Sequence, residues 1–202
     1  MTGGPVAAIV PAAGRSARMG RPKLTLPIQG RALIARVVEA LRSGGADPVI
    51  VVAPTRDATG APELIAEAER AGARVVVPAG HTADMRASIV LGLEALAGVE
   101  PVGILLAPGD SPGLTASLVA RVVDRGRAEP GAIVVPTFDG RRGHPVWLPS
   151  GLAATIAALP DGVGVNALLA AYEDRLVAVA AEDEGALADL DTPDDYRRWA
   201  AP

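Results

Sequence analysis

Near its N-terminus the chain reads Pro11-Ala12-Ala13-Gly14-Arg15-Ser16-Ala17-Arg18-Met19-Gly20-Arg21-Pro22-Lys23-Leu24, directly after the apolar run Val6–Val10. The apolar run is typical of a buried strand, and the segment after it is rich in glycine and carries four cations. Gly14 and Gly20 allow the backbone to turn closely around a ligand, so that N–H groups and basic side chains face an anion. A strand that leads into such a turn is typical of phosphate binding in α/β proteins. The alternative is a solvated basic loop, but four cations beside an apolar strand in an acidic chain favour the phosphate site.

The composition indicates one α/β domain and excludes several classes of function. The chain has 202 residues, a formal net charge of −4 and no cysteine; half of its residues are apolar and 2% are aromatic. A core of small aliphatic side chains suits a parallel sheet covered by Ala-rich helices. The acidic charge argues against a nucleic-acid partner, and the lack of cysteine excludes disulfides and thiolate metal sites. The sequence shows neither a signal-peptide pattern nor a stretch able to span a bilayer, so we expect a cytoplasmic protein with no membrane partner.

Short apolar runs alternate with amphipathic stretches along the chain. Strands are predicted at Val6–Pro11, Val49–Ala53, Arg74–Pro78, Val102–Ala107, Ala132–Thr137, Pro145–Leu148 and Leu176–Val179. Helices are predicted at Leu33–Arg42, Pro62–Ala71, Arg86–Leu96, Thr115–Arg125, Leu152–Leu159, Val165–Tyr172 and Pro193–Trp199. This order predicts a three-layer α/β/α fold with a doubly wound, mostly parallel, Rossmann-like sheet and an added β-hairpin, in a single domain over residues 1–202.

Asp110 is the first candidate for holding a divalent cation. It follows the predicted strand Val102–Ala107, between Gly109 and Pro112, which places its carboxylate at the rim of the sheet. Open parallel sheets bind ligands at the C-terminal ends of their strands, where the segment Gly14–Lys23 is also expected. Mg²⁺ binds through one or two carboxylates together with substrate phosphates, so Asp110 suits this metal. A turn or helix-capping aspartate is the alternative.

A second pair of carboxylates lies near the C-terminus. Asp189 and Asp191 are two residues apart and share one face if the segment is extended. Either Asp191 or Thr192 is also able to cap the last helix, with Pro193 at its first position. Capping explains Thr192 and Pro193 well but explains Asp189 poorly, which keeps a metal-binding role open.

His144 and Ser88 are further polar candidates. His144 lies between Gly143 and Pro145 on the predicted hairpin, where an imidazole contacts a metal or phosphate, acts as a general acid or base, or is merely hydrogen-bonded. Ser88 falls in the first turn of the predicted helix Arg86–Leu96, so its hydroxyl and the free N–H groups of that turn are able to face a ligand. An ordinary helix start is the alternative for Ser88.

Five segments of the chain resemble, in order, the MobA-like nucleotidyltransferases, and most closely their molybdenum cofactor cytidylyltransferase branch. These segments are Ala12–Leu24, Met85–Ser88, Gly109–Pro112, Pro136–Pro145 and Asp189–Pro193. The first segment is shared by many nucleotidyltransferases. The fourth is close to Pro-x-x-x-Gly-x-x-Gly-His-Pro and the fifth to Asp-x-Asp-Thr-Pro, and together these two point to the molybdenum cofactor branch. The resemblance spans nearly the whole chain and implies a GT-A-like nucleotidyltransferase fold.

The resemblance implies a role for each matching residue. The catalytic residues would be Arg18, Lys23 and Asp110. The nucleotide would be bound by Ala12, Ala13, Gly14, Arg15, Ser16, Gly20 and Ser88, with the triphosphate on the N–H groups from Ala13 to Gly20 and the base near Ala12, Ala13 and Ser88. Asp110 would hold Mg²⁺, joined by Asp191, and His144 would lie on the acceptor side.

The implied function is Mg²⁺-dependent transfer of a nucleoside monophosphate from an NTP to a phosphorylated cofactor or metabolite, with release of pyrophosphate. CTP is favoured because Pro11–Gly14 resembles the cytidine-using form of the family, and molybdopterin is one candidate acceptor. Asn166 stands where the family has an acceptor-side arginine, which leaves the acceptor open. The oligomeric state is also open.

Two alternatives belong to other classes of protein. One is an NAD(P)H-dependent oxidoreductase of the nicotine blue oxidoreductase type, a relative on the same fold, although no Gly-x-Gly-x-x-Gly follows the first strand. The other is a non-catalytic nucleotide-binding accessory protein. The presence of both Asp110 and Asp191 argues against it, since a binding protein has little need of two metal-binding carboxylates.

Overall fold

Strands and helices alternate through the computed structural model, which describes residues 3–14, 19, 21–82, 84–160 and 163–200. The strands are β1 (Val6–Pro11), β2 (Pro27–Ile28), β3 (Arg31–Ala32), β4 (Val49–Val52), β5 (Arg74–Val76), β6 (Gly103–Leu106), β7 (Ile133–Phe138), β8 (Arg141–Arg142), β9 (Val146–Pro149) and β10 (Leu176–Ala180). The helices are α1 (Leu33–Ser43), α2 (Ala61–Arg70), α3 (Met85–Glu94), α4 (Ala116–Ala128), α5 (Ala153–Ala157), α6 (Val165–Ala171) and α7 (Pro193–Ala200). Across the described ranges, no helix combines the length and the apolar character needed to cross a bilayer.

The main sheet has the strand order β10-β7-β9-β6-β1-β4-β5, with β8 paired to β7. β1 runs parallel to β4 and β6, β4 to β5, and β7 to β10, which confirms the predicted mostly parallel sheet. β9 runs antiparallel between β6 and β7. The returning strand of the predicted hairpin is therefore a central strand of the sheet, and β8 is the strand that forms the hairpin with β7.

Side chains that alternate along β1 fill two cores, one on each face of the sheet. Ala8 and Val10 pack with buried residues of α1, α2 and α4, whereas Ala7 and Ile9 pack with those of α3, α5 and α6. Successive side chains of a strand point to opposite faces, and a parallel sheet buries both faces beneath helices. The predicted three layers are confirmed, and the C-terminal ends of β1, β4, β5 and β6 share one edge of the sheet.

Trp147 on β9 is a packing residue. Its side chain is only 2% exposed. Gly103 on β6 and Gly126 on α4 press against its indole ring, and a Cβ atom on Gly126 would lie 2.2 to 2.6 Å from ring atoms. The missing side chains of these two glycines make the space that this indole ring needs.

We therefore expect Gly126→Ala to lower the free energy of unfolding by about 1–3 kcal/mol, because an added methyl group overpacks a core that cannot yield. Urea denaturation followed by fluorescence of the tryptophans measures this loss. Arg125→Ala, on the exposed part of the same helix, is the matched control and should change stability by about 0.5 kcal/mol or less. Equal stabilities of the two variants would show that the indole has room to shift.

Candidate active site

A cavity of about 670 Å³ opens at the edge of the sheet where β1, β4, β5 and β6 end. Its lining comes from the segments that follow these strands and from the start of α3: Pro11, Ala12, Ala13, Gly14, Lys23, Leu24, Pro54, Thr55, Pro78, His81, Thr82, Asp84, Met85, Ser88, Pro108, Gly109 and Asp110. Ligands of open α/β sheets bind at this edge, and the volume is in the range of small-molecule sites.

At the rim of this cavity, Lys23 contacts one carboxylate from the middle of the chain and one from near its C-terminus. Its ammonium nitrogen lies 2.5 Å from Asp110 Oδ2 and 2.9 Å from Asp191 Oδ1. The three side chains are 12%, 23% and 30% exposed, respectively. Lys23 is the only lysine among the 19 basic residues of the sequence. Burial of the ammonium opposes its charge, but the hydrogen bonds and the charges of the two carboxylates outweigh burial and raise the pKa of Lys23.

The Asp110 loop is held by backbone hydrogen bonds to neighbouring segments. The N–H of Ala107 donates to the Ile9 carbonyl at 3.2 Å, and that of Gly109 donates to the Pro11 carbonyl at 3.3 Å. A Cβ atom on Gly109 would lie 3.3 Å from Leu24, so the loop is packed closely against the Lys23 segment. The rim position predicted for Asp110 is thus fixed by β1 and by the segment that carries Lys23.

The C-terminal segment docks directly on the Asp110 loop. The N–H of Leu190 donates to the Asp110 carbonyl at 2.9 Å. Thr192 caps α7, since its Oγ1 accepts from the N–H of Asp195 at 3.2 Å. The carboxylate of Asp191 instead faces Lys23. Of the two residues that the sequence offers as helix cap, Thr192 has that role, whereas the carboxylate of Asp191 contacts Lys23.

Asp189 adds a further negative charge beside this pair, although its side chain is largely exposed. Partial burial of its carboxyl group, together with the charges of Asp110 and Asp191, raises the pKa of Asp189 to about 6, against the opposing charge of Lys23. Asp189 therefore lies within electrostatic range of Asp110, Asp191 and Lys23, and its carboxylate belongs to the same acidic cluster.

Asp110 and Asp191 fit a hard divalent cation. Both present a carboxylate oxygen to one positive charge, that of Lys23, so a point where a cation contacts both already exists. Among the described residues, no group of three or more His, Asp or Glu side chains is arranged to hold a metal ion. Two carboxylate ligands suit Mg²⁺, which takes its remaining ligands from water and substrate phosphates.

Ser88 lines the cavity, but its hydroxyl already has partners in the protein. Its side chain is 2% exposed, and Oγ lies 3.2 Å from Thr82 Oγ1 and 3.5 Å from the Asp84 carbonyl oxygen. Asp84 caps α3 by accepting from the N–H of Ala87 at 2.7 Å. Ser88 thus orders the start of α3 at the wall of the cavity, and its contact with a base stays a prediction.

His144 is close to Asp110 but does not line the cavity. Its backbone N–H donates to the Ala186 carbonyl at 2.9 Å. Burial lowers the pKa of the imidazole, against the charge of Asp110 and a hydrogen bond to the backbone of Leu106. The acceptor-side role of His144 stays a prediction.

The glycine-rich turn is described in part. Ala12 extends β1, because its N–H donates to the Val52 carbonyl at 2.9 Å, and Ala13 and Gly14 follow at the cavity wall. The predicted sites Arg15, Ser16, Arg18 and Gly20 lie outside the described residues. Beyond the turn, the Arg21 guanidinium lies 5.1 Å from the ring centroid of Tyr196, whose hydroxyl donates to the Pro27 carbonyl at 3.2 Å.

The cavity also contains residues that the sequence interpretation missed, notably Thr55, His81 and Thr82. Thr55 follows β4, and the other two follow β5, so they lie at the same edge of the sheet as Asp110. The rule that placed Asp110 at the ligand edge applies equally to these two strands. Applying it to every predicted strand would have found them.

The sequence matches known families over most of its length. Residues 8–177 match the family described as the MobA-like NTP transferase domain. The chain is 33% identical over 174 residues to the 2-C-methyl-D-erythritol 4-phosphate cytidylyltransferase of Cereibacter sphaeroides. This alignment covers 82% of this chain and 76% of that enzyme. The chain is also 35% identical over 146 residues to the enzyme of the same name from Ralstonia nicotianae. This alignment covers 65% of this chain and 56% of that enzyme's length.

Two solved structures share the fold over nearly the entire chain. A nucleotidyl transferase from Methanothermobacter superposes with a TM-score of 0.80 at 28% identity, covering 97% of this chain and 96% of the other. Rv0371c of Mycobacterium tuberculosis, solved in complex with manganese, superposes with a TM-score of 0.75 at 29% identity, covering 97% and 98%. Because the family match runs from β1 into β10 and the cavity lies where this fold binds its ligands, the chain belongs to the MobA-like NTP transferase domain family.

Proposed function

We propose that this chain is a Mg²⁺-dependent cytidylyltransferase, which transfers CMP from CTP to a phosphorylated small molecule and releases pyrophosphate. The observation that carries the proposal is the contact of Lys23 with both Asp110 and Asp191 at the rim of the cavity. The rim thus offers an ammonium for phosphate oxygens and two carboxylates for a cation. An NTP transferase needs these two kinds of group on one polyphosphate.

The reaction needs no nucleophilic side chain. A phosphate oxygen of the acceptor, already anionic near neutral pH, forms a bond to the α-phosphorus of the nucleotide. The bond between this phosphorus and the oxygen bridging to the β-phosphorus breaks, and pyrophosphate leaves with the electron pair. The protein has to align two anions and to compensate charge on the leaving group, and alignment alone is worth roughly 7 kcal/mol or more.

Each described residue of the rim has a part in this task. Asp110 and Asp191 would hold Mg²⁺, which when bound neutralises phosphate charge and orients phosphate oxygens. Lys23 places its ammonium at the rim of the cavity and compensates charge on the departing pyrophosphate. Close packing of Gly109 against Leu24 holds the Asp110 loop next to the segment that carries Lys23.

Cytidine and a phosphorylated acceptor are the substrate classes with most support. The relative from Cereibacter sphaeroides is named for a sugar-alcohol phosphate and for cytidylyl transfer. The stretch Pro11–Gly14, which resembles the cytidine-using form of the family, lines the cavity. Molybdopterin and 2-C-methyl-D-erythritol 4-phosphate are therefore the first acceptors to test.

The proposed function is tested by release of pyrophosphate from each of the four NTPs with Mg²⁺, against a panel of phosphorylated acceptors that includes these two. We expect release with CTP, dependent on one acceptor class, and none after chelation of the metal. Tight NTP binding without release for any acceptor would contradict the proposal and indicate a binding protein. Bleaching of NADPH by a quinone, without NTP or metal, would indicate an oxidoreductase.

A further inference from the structure

Asp195, in the first turn of α7, makes more contacts than a helix cap requires. One atom, Oδ2, accepts from the N–H of Thr192 at 2.8 Å, from the hydroxyl of Thr192 at 2.8 Å and from the N–H of Asp191 at 3.1 Å. The bonds to Thr192 form a reciprocal capping box at the helix start. The bond to Asp191 lies outside that box, because Asp191 precedes the cap residue.

The bond to Asp191 completes the anchoring of a short stretch of backbone. The N–H of Leu190 donates to the Asp110 carbonyl at 2.9 Å, and the next two N–H groups, of Asp191 and Thr192, both donate to Asp195. Hydrogen bonds therefore fix three consecutive N–H groups, one to the Asp110 loop and two to α7. Asp191 lies within this stretch, and its carboxylate is 2.9 Å from the ammonium of Lys23.

We propose that Asp195 is a positioning residue, which holds the backbone of Asp191 so that its carboxylate shares a cation with Asp110. This inference rests on the proposed function, in which Asp191 is a metal ligand. Removing a group that orients a metal ligand typically weakens metal binding by about 10- to 100-fold. The neighbouring Asp194 has the same charge in the same turn, but its side chain is 81% exposed and pairs with Arg197.

The test is binding of Mn²⁺ to the full chain, alone and with CTP, measured from the electron paramagnetic resonance signal of the free ion. We expect Asp195→Ala to weaken Mn²⁺ binding about 10-fold or more. The matched control Asp194→Ala should bind like wild type. Asp195→Asn loses the charge but keeps an acceptor oxygen, so its affinity should stay within about threefold of wild type if positioning is the role of Asp195.

A fourth variant separates positioning from simple helix capping. Thr192→Ala removes the hydroxyl cap, which should cost about 1 kcal/mol of stability, but it keeps the acceptor for the N–H of Asp191. We expect its melting temperature to fall while its Mn²⁺ affinity stays near wild type. If Thr192→Ala and Asp195→Ala weaken Mn²⁺ binding equally, or if Asp195→Asn is as weak as Asp195→Ala, the proposal is wrong. Unchanged affinity in Asp195→Ala would also overturn it.

An additional measurement and a substitute variant guard against loss of folding. Thermal melting without metal is recorded for every variant, and Asp195→Ser replaces Asp195→Ala under the same criteria if the alanine variant does not fold. Mn²⁺ binding requires no turnover, so a wild-type chain that binds Mn²⁺ but releases no pyrophosphate contradicts the proposed function while the Asp195 comparison still holds. A wild-type chain that binds no Mn²⁺, even with CTP, overturns both proposals.

Discussion

Replacing Lys23 with alanine should lower the turnover of pyrophosphate release by about 100-fold or more. The ammonium lies at the cavity rim, 2.5 Å and 2.9 Å from two carboxylates. Without it, the leaving pyrophosphate loses a compensating charge, and the nucleotide meets Asp110 and Asp191 with one cation fewer. The measurement is the kcat and KM for CTP with saturating acceptor and Mg²⁺.

Arg31→Ala is the control for this change, since it removes one positive charge from an exposed pair with Glu39 and should keep wild-type turnover. Mn²⁺ binding provides an independent comparison. Lys23→Ala should bind Mn²⁺ at least as tightly as wild type, because the ammonium contacts the same carboxylates. Near-normal turnover in Lys23→Ala would show that the ammonium has only a structural role.

Asp110→Asn should lower turnover by about 1000-fold and shift its dependence on Mg²⁺ to higher concentrations. An amide oxygen is a poorer ligand for Mg²⁺ than a carboxylate, and Asp191 alone then remains to hold the ion with the phosphates. The measurement is turnover as a function of Mg²⁺ concentration. Asp124→Asn, an exposed position on α4, is the control and should titrate like wild type. Full Mg²⁺-dependent turnover in Asp110→Asn would exclude Asp110 as the ligand.

The same variant should change the protonation of Lys23, which is measurable without substrate. Lys23 is the only lysine in the sequence, so protein labelled with ¹³Cε-lysine gives one lysine signal. In the wild type this signal should titrate above the ordinary value of 10.5, because two carboxylates stabilise the ammonium more than burial opposes it. In Asp110→Asn one of these partners is lost, and the pKa of Lys23 should fall. An unchanged pKa would mean that the contact does not persist in solution.

Local sequence pattern predicted most of the elements. Val6–Pro11 has the bounds of β1, and helices α1 to α4 begin and end within a few residues of their predicted positions. Apolar spacing is a local signal, and residues such as Thr115 mark helix starts by hydrogen bonds within one turn, here to the N–H of Leu118 at 3.2 Å. Such signals need no knowledge of which segments meet.

The position of β9 and the full lining of the cavity were not predicted. A four-residue strand shows no preference for its neighbours, and the insertion of β9 between β6 and β7 depends on room for Trp147 beside Gly103 and Gly126. His81, which lines the cavity, was not among the predicted site residues. Both results depend on segments that are distant in the chain.

The sequence by itself determined the order of strands and helices, and it identified Lys23, Asp110 and Asp191 as candidate site residues. Only the tertiary structure decided that these three side chains meet, because Asp110 and Asp191 lie 87 and 168 positions from Lys23 in the chain. The physical reason is that pairing of parallel strands brings their C-terminal ends to one edge of the sheet. The last segment then docks at this edge, because the N–H of Leu190 donates to the Asp110 carbonyl and the N–H of Asp191 donates to the Asp195 carboxylate. A linear pattern shows which charges are available, whereas their separation is set by the packing of the whole sheet.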